Sequence, residues 1–221
     1  MELSGKKINF LGDSITEGVG ASAPDKVYHQ VMLRKYGLAA VRNYGISGTR
    51  YARQITPTLN EPSFDLDFCQ RYAGMDDDAD IVVVFGGTND FGHGDAPIGT
   101  PDDRTPDTFW GACHYLYSHL IEKYPAALIV VMTPLHRLNE HFTNGDGHQK
   151  KYNYGNLKSY VDIIRTAAEY YGIPVLDLFA NACIQPQIQA SREQYTVDGL
   201  HPNDTGYAYI ADRLANFILN Y

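Results

Sequence analysis

Two short runs constrain this chain more than anything else in it. Residues 81–85 (IVVVF) and 128–132 (LIVVM) are wholly apolar and rich in β-branched side chains. Each stops abruptly, the first at Gly86-Gly87 and the second at Thr133-Pro134. A strand with water on one face alternates apolar and polar positions. A run that is apolar throughout is what a parallel sheet covered by helices on both faces requires. Three weaker, partly polar runs also read as strands: residues 7–11 (KINFL) before Gly12-Asp13, residues 41–44 before Gly45, and residues 175–178 after Gly172-Ile173-Pro174.

Segments of helical period lie between these runs. Residues 27–36 end at Gly37, and residues 108–124 are stopped by Pro125. Leu157, Tyr160, Val161, Ile164, Ala168 and Tyr171 fall on one helix face ahead of Gly172. Tyr207, Ile210, Leu214, Phe217 and Ile218 mark an amphipathic helix near the C-terminal end. Strand and helix alternate about five times, an α/β order with right-handed crossovers. Two polar, turn-rich stretches, residues 91–106 and 136–151, read as long loops.

A chain of 221 residues without repeat or low-complexity linker is expected to form a single domain over 1–221. Its longest apolar run, residues 126–132, is far short of the roughly 20 residues a membrane span needs, and no signal-peptide core fits the start. Eighteen basic against 26 acidic residues give a net charge of −8, which argues against a nucleic-acid partner. Cys69, Cys113 and Cys183 are odd in number, widely spaced and without metal or redox spacing. The expectation is a reduced, soluble, cytoplasmic protein.

In open α/β sheets the ligand site lies outside the carboxyl ends of the strands. After the first strand comes Gly12-Asp13-Ser14-Ile15-Thr16-Glu17-Gly18; after the second, Asn43-Tyr44-Gly45-Ile46-Ser47-Gly48-Thr49. The third is followed by Gly86-Gly87-Thr88-Asn89-Asp90, and Asp198-Gly199-Leu200-His201-Pro202-Asn203 precedes the last helix. These are the parts that serine hydrolysis needs. A serine hydroxyl is a poor nucleophile until a base takes its proton, and neutral imidazole does this near neutral pH. His201 is the candidate base, and Asp198 can fold back to accept the other ring N–H. The oxyanion formed on acyl attack needs preorganised donors: the backbone N–H at Gly48, the Asn89 amide and the backbone N–H of Ser14.

Taken together the four blocks resemble those of the SGNH hydrolases, the GDSL-type esterases and lipases, from Gly12 to His201. The resemblance implies Ser14 as nucleophile, Gly48 and Asn89 as oxyanion-hole residues, and Asp198 and His201 as the rest of a triad. Ile15 stands where the family name has leucine, a swap of similar volume. The implied fold is a three-layer α/β/α, flavodoxin-like domain with a five-stranded parallel sheet in the order 2-1-3-4-5, which sets the first three strands side by side.

Each residue also has a plain structural reading. Ser14 can be a helix N-cap, Gly48 a turn glycine, Asn89-Asp90 a turn cap and His201 a loop histidine. All four must hold together to displace the catalytic reading. His136, His141 and His148 share a loop, but their spacing fits no zinc motif, so no metal is expected. The Gly12–Gly20 turn lacks the phosphate-binding spacings of nucleotide folds.

The expected activity is hydrolysis of carboxylic esters through an acyl-enzyme, without cofactor, on a small-molecule ester. Short-chain esters such as acetylated carbohydrates fit best, because the long loops are polar and no apolar lid segment separates the blocks. Lipase, thioesterase or acyltransferase activity within the same family are the alternatives. A non-catalytic, flavodoxin-like module binding a glycan or nucleotide is the alternative from another class. Arg50 and Arg137 follow strands two and four and are candidates to anchor substrate; surface salt bridging is the competing reading for each.

Overall fold

The computed structural model describes residues 2–146, 150 and 154–221. Five strands, β1 (Lys7–Gly12), β2 (Ala40–Gly45), β3 (Ile81–Phe85), β4 (Leu128–Met132) and β5 (Val175–Leu176), form one sheet in the order β2-β1-β3-β4-β5. Every neighbouring pair is parallel. The register aligns Gly12 with Gly45 on one side and with Phe85 on the other, so the segments leaving β1, β2 and β3 emerge side by side.

Nine α-helices connect and flank the strands among the described residues: α1 (Ser14–Glu17), α2 (Tyr28–Tyr36), α3 (Phe68–Arg71), α4 (Thr88–Gly92), α5 (Phe109–Lys123), α6 (Leu157–Tyr170), α7 (Leu178–Asn181), α8 (Gln189–Tyr195) and α9 (Asp204–Leu219). The alternation along β3 shows why its sequence is apolar throughout. Val82 and Val84 face the layer of α3, α5 and α6, whereas Ile81, Val83 and Phe85 face that of α2 and α9. All five are buried, which removes the polar face that a half-exposed strand would need.

Helix starts follow local chemistry. The side chains of Thr108, Asn156 and Asn203 accept the free N–H groups of Gly111, Ser159 and Gly206 at the first turns of α5, α6 and α9. One boundary differs from expectation: β5 closes at Leu176, two residues early. Asp177 caps α7 by accepting from Ala180, and its carboxylate also takes hydrogen bonds from Arg165 and Thr133. An acid recruited as a helix cap ends the strand that the apolar residues alone would have extended. No helix among the described residues is long and apolar enough to cross a membrane.

Candidate active site

Ser14 is the first residue of α1, a single turn set directly on the end of β1. Asp13 caps that turn by accepting from the N–H of Ile15 at 3.0 Å. Both helices of one layer hold the turn in place. His29 and Tyr28 of α2 bind the carbonyl and the hydroxyl of Thr16, and Tyr207 of α9 donates to the carbonyls of Ile15 and Val19. The Ile15 and Val19 carbonyls are thereby fixed by a partner almost 200 residues away in sequence.

Asp198 and His201 sit on a closed turn between α8 and α9. Val197 donates to the carbonyl of His201, and the Thr196 hydroxyl accepts from Gly199. One Asp198 oxygen accepts from the backbone N–H groups of Leu200 and His201 at 2.9 and 2.7 Å. The other lies 2.7 Å from His201 Nδ1, and His201 Nε2 lies 3.0 Å from Ser14 Oγ. A carboxylate cannot donate, so Nδ1 carries the proton and the neutral ring turns the Nε2 lone pair toward the Ser14 hydroxyl. Partial burial works to raise the Asp198 pKa, but the hydrogen bonds from His201 and Leu200 outweigh it and hold the carboxyl below its usual range.

The turn after β2 carries Gly48 at φ +74°, in the left-handed region that favours glycine. A β-carbon there would fall 2.2 Å from the ring of Phe64, so the site also needs glycine to admit that ring. Ser47 donates through its backbone and hydroxyl to Glu17, tying the turn to α1. Asn89, on α4, is 6% exposed and donates one amide hydrogen to the carbonyl of Thr49 at 3.0 Å. Its neighbour Asp90 accepts from the N–H groups of Tyr51 and Ala52. The segments bearing Gly48 and Asn89 are thus locked to each other.

Three features of this neighbourhood carry no sequence signature. Arg71, at the end of α3, reaches under the rim and donates to carbonyl oxygens of Gly12 and Tyr44 and to the Thr49 hydroxyl. Burial lowers its pKa to about 10, against the pull of Asp13 and Asp67, so it stays charged at neutral pH. Phe64 forms the floor against Gly48. Beyond Phe64 opens a hollow of about 830 Å³ lined by Ile55, Leu59, Glu61, Asp95 and Tyr154 among others.

Arg50 and Arg137 do not stand open at the rim. Arg50 is 1% exposed and is spent on the Phe64 carbonyl, Asp65 and His93. Arg137 is 6% exposed, pairs with Asp146, reaches the Thr88 hydroxyl and lies over the ring of Phe91. Groups supplied by the fold already take both terminal nitrogens of each guanidinium, so neither offers the free fork that anchoring a substrate needs.

Other histidines are placed differently from His201. Burial, reinforced by Arg50, Arg137 and Lys150, drives the His93 pKa to about 3, and burial takes His29 to about 4. His93 Nδ1 can only accept from Arg50, and His29 binds the Thr16 carbonyl. His136 bonds Glu140 and lies against Phe179, while His141 is largely exposed. His148 lies outside the described residues. Among those described, no cluster of His, Cys, Asp and Glu could hold a metal ion.

Asp13 supplies a stability prediction. Burial raises its carboxyl pKa to about 7, despite the Ile15 hydrogen bond, with Asp90 adding repulsion. The unfolded chain releases this proton near the ordinary value of 3.8. Between those values the native state binds more protons, so this contribution to stability is present below about pH 4 and lost as pH rises through 7. Asp13→Asn keeps the cap and removes the titration. Urea unfolding at pH 4.5 and pH 8 is expected to show the variant gaining on wild type by on the order of 2–4 kcal/mol across that interval. An equal difference at both pH values would contradict a buried, neutral Asp13.

A parallel sheet in this order, with a hydroxyl, an imidazole and a carboxylate in line at its carboxyl rim, defines the architecture of the GDSL hydrolases. The model of the GDSL-like Lipase/Acylhydrolase family matches residues 10–209, and the chain belongs to that family. It is similar over 100% of its length to a protein from Lactobacillus plantarum of known structure, covering 99% of that chain at 29% identity and a TM-score of 0.85. A possible lipase from Chitinophaga pinensis has the same fold at 22% identity and a TM-score of 0.70, with 97% of this chain and 98% of that one covered. An acetyl xylan esterase also has it, at 20% identity and a TM-score of 0.60 over 95% of this chain and 98% of its own. A search among curated proteins finds no match.

Proposed function

We propose that this chain, as one SGNH domain over residues 1–221, is a serine esterase that hydrolyses short-chain carboxylic esters such as acetylated carbohydrates. The observation that carries the reading is the unbroken series Ser14 Oγ, His201 Nε2, His201 Nδ1 and Asp198, with contacts of 3.0 and 2.7 Å. As the Ser14 oxygen bonds to the acyl carbon, its proton passes to Nε2 and the carbonyl π pair moves onto oxygen. The Gly48 and Ser14 N–H groups and the second amide hydrogen of Asn89 hold that oxyanion. Collapse expels the alcohol, which takes the proton from His201. Water then repeats the sequence on the acyl-enzyme, releasing the acid and free Ser14. No step calls for a cofactor.

The substrate class rests on the hollow beside Phe64. Gln54, Thr56, Thr58 and Asn60 supply uncharged polar groups, Phe64 and Tyr154 supply aromatic rings, and the charged lining residues, Glu61 and Asp95, are both acidic. Such a surface suits a neutral, hydroxylated alcohol better than a fatty chain or an anion, in keeping with the acetyl xylan esterase that shares the fold. A p-nitrophenyl ester series from acetyl to octanoyl tests this. Acetyl and propionyl esters are expected to turn over at least about ten times faster, by kcat/KM, than octanoyl. A preference for octanoyl would replace the small-ester reading with a lipase one, and saturable glycan binding without turnover would make the chain a binding module.

A further inference from the structure

We infer that Arg71 is a positioning residue that sets the spacing between the nucleophile and the oxyanion donors, an inference that rests on the esterase reading above. Four hydrogen bonds leave its guanidinium, and they run to four separate segments. Nη2 donates to the Gly12 carbonyl and to the Thr49 hydroxyl, both at 2.9 Å. Nη1 donates to the Tyr44 carbonyl, and Nε to the Leu66 carbonyl at 2.8 Å. Gly12 precedes Ser14 by two residues along the same chain, and Thr49 is bonded covalently to Gly48. Leu66 stands two residues from Phe64, whose ring packs on Gly48.

The arrangement extends to the remaining donor. The Thr49 carbonyl accepts the Asn89 amide, and the Thr49 hydroxyl also donates to the Ile46 carbonyl, closing the turn that holds Gly48. One planar cation therefore touches the strand that delivers Ser14 and the turn against which Asn89 is set. The ring of Phe68 backs the guanidinium at 5.1 Å, so it has little room to swing. The Gly12 carbonyl also accepts from the Ile46 N–H at 3.2 Å, so the cation reinforces a junction between the β1 end and the Gly48 turn. A lysine carries one point of charge and cannot reach four diverging acceptors at once. Removing the fork lets the β1 end and the Gly48 turn move relative to each other, and displacements of about 1 Å cost about 100-fold in rate.

The test compares wild type, Arg71→Lys, Asn89→Ala and the double variant on p-nitrophenyl acetate, with folding of each confirmed by circular dichroism. Arg71→Lys is expected to lower kcat by at least about 10-fold with KM within twofold, because the donors matter most in the transition state. In the double variant the loss should be less than the product of the single losses, since both act through one oxyanion site. Wild-type kcat in Arg71→Lys, a loss carried in KM, or losses that multiply would overturn the positioning role and leave the esterase reading standing. Absence of turnover by wild type would overturn both. Should Arg71→Lys not fold, Arg71→Gln, which keeps a planar donor group but cannot reach all four acceptors, is read the same way. A kcat fall of about 3- to 10-fold supports the role, and an unchanged kcat rejects it.

Discussion

Ser14→Ala is expected to abolish ester turnover, with kcat falling by about 10⁴–10⁶-fold, while the fold and the binding of a non-hydrolysable ester analogue persist. The size of the effect follows from the covalent step. Without the hydroxyl no acyl-enzyme forms, and only the oxyanion donors and the orientation of bound ester remain to act on water. The change removes one oxygen, and α1 stays held by Tyr28 at the Thr16 hydroxyl and by His29 and Tyr207 at the Thr16 and Ile15 carbonyls, so stability should move little. A fluorophosphonate probe provides an independent reading. Intact mass should rise by a single adduct in wild type and by none in Ser14→Ala. Equal labelling of the two proteins, or turnover retained by the variant, would end the assignment of Ser14.

Asp198→Asn is the second large effect, and its logic is one of tautomers. Asparagine oxygen can still accept from the backbone N–H groups of Leu200 and His201, so the turn closes as before. Its amide, however, presents hydrogens where His201 Nδ1 now finds a carboxylate oxygen at 2.7 Å. The ring is driven to carry its proton on Nε2, facing the Ser14 hydroxyl with a donor instead of a base. A loss of about 10³–10⁴-fold in kcat is expected, with KM nearly unchanged. The half-exposed position of Asp198 lets water relieve part of the mismatch and favours the lower figure. The variant's remaining activity should rise with pH as hydroxide takes over from the ring. A variant within tenfold of wild type would mean that Asp198 neither orients nor charges His201.

The sheet was legible because its chemistry is local: the β-branched runs of β3 and β4 tolerate no polar position and stop at Gly86-Gly87 and Thr133-Pro134, and the weaker β1 and β2 runs end in glycine. The rim segments were legible for a related reason, since they follow those strands directly and hold short, distinctive residue sets. What escaped is long-range. Arg71 lies in a stretch without apolar period, and nothing adjacent in sequence marks it as the partner of Gly12, Tyr44 and Thr49. Asp90 read as a turn cap, yet it reaches across to Tyr51 and Ala52. Arg50 shows the opposite failure. Its place beside Gly48 suggested an exposed anchor, but exposure is decided by Asp65, Phe64 and His93 closing over it, and neither charge nor order in sequence records that.

The clamp of Tyr207 on the first helical turn has a temporal meaning. The ribosome delivers β1 and the Ser14 turn well before His201, which follows Ser14 by 187 positions, and before α9. Until His201 emerges, the growing polypeptide displays a serine without its base. On the proposed mechanism, hydrolytic power is switched on only when the later segment folds back onto the earlier one.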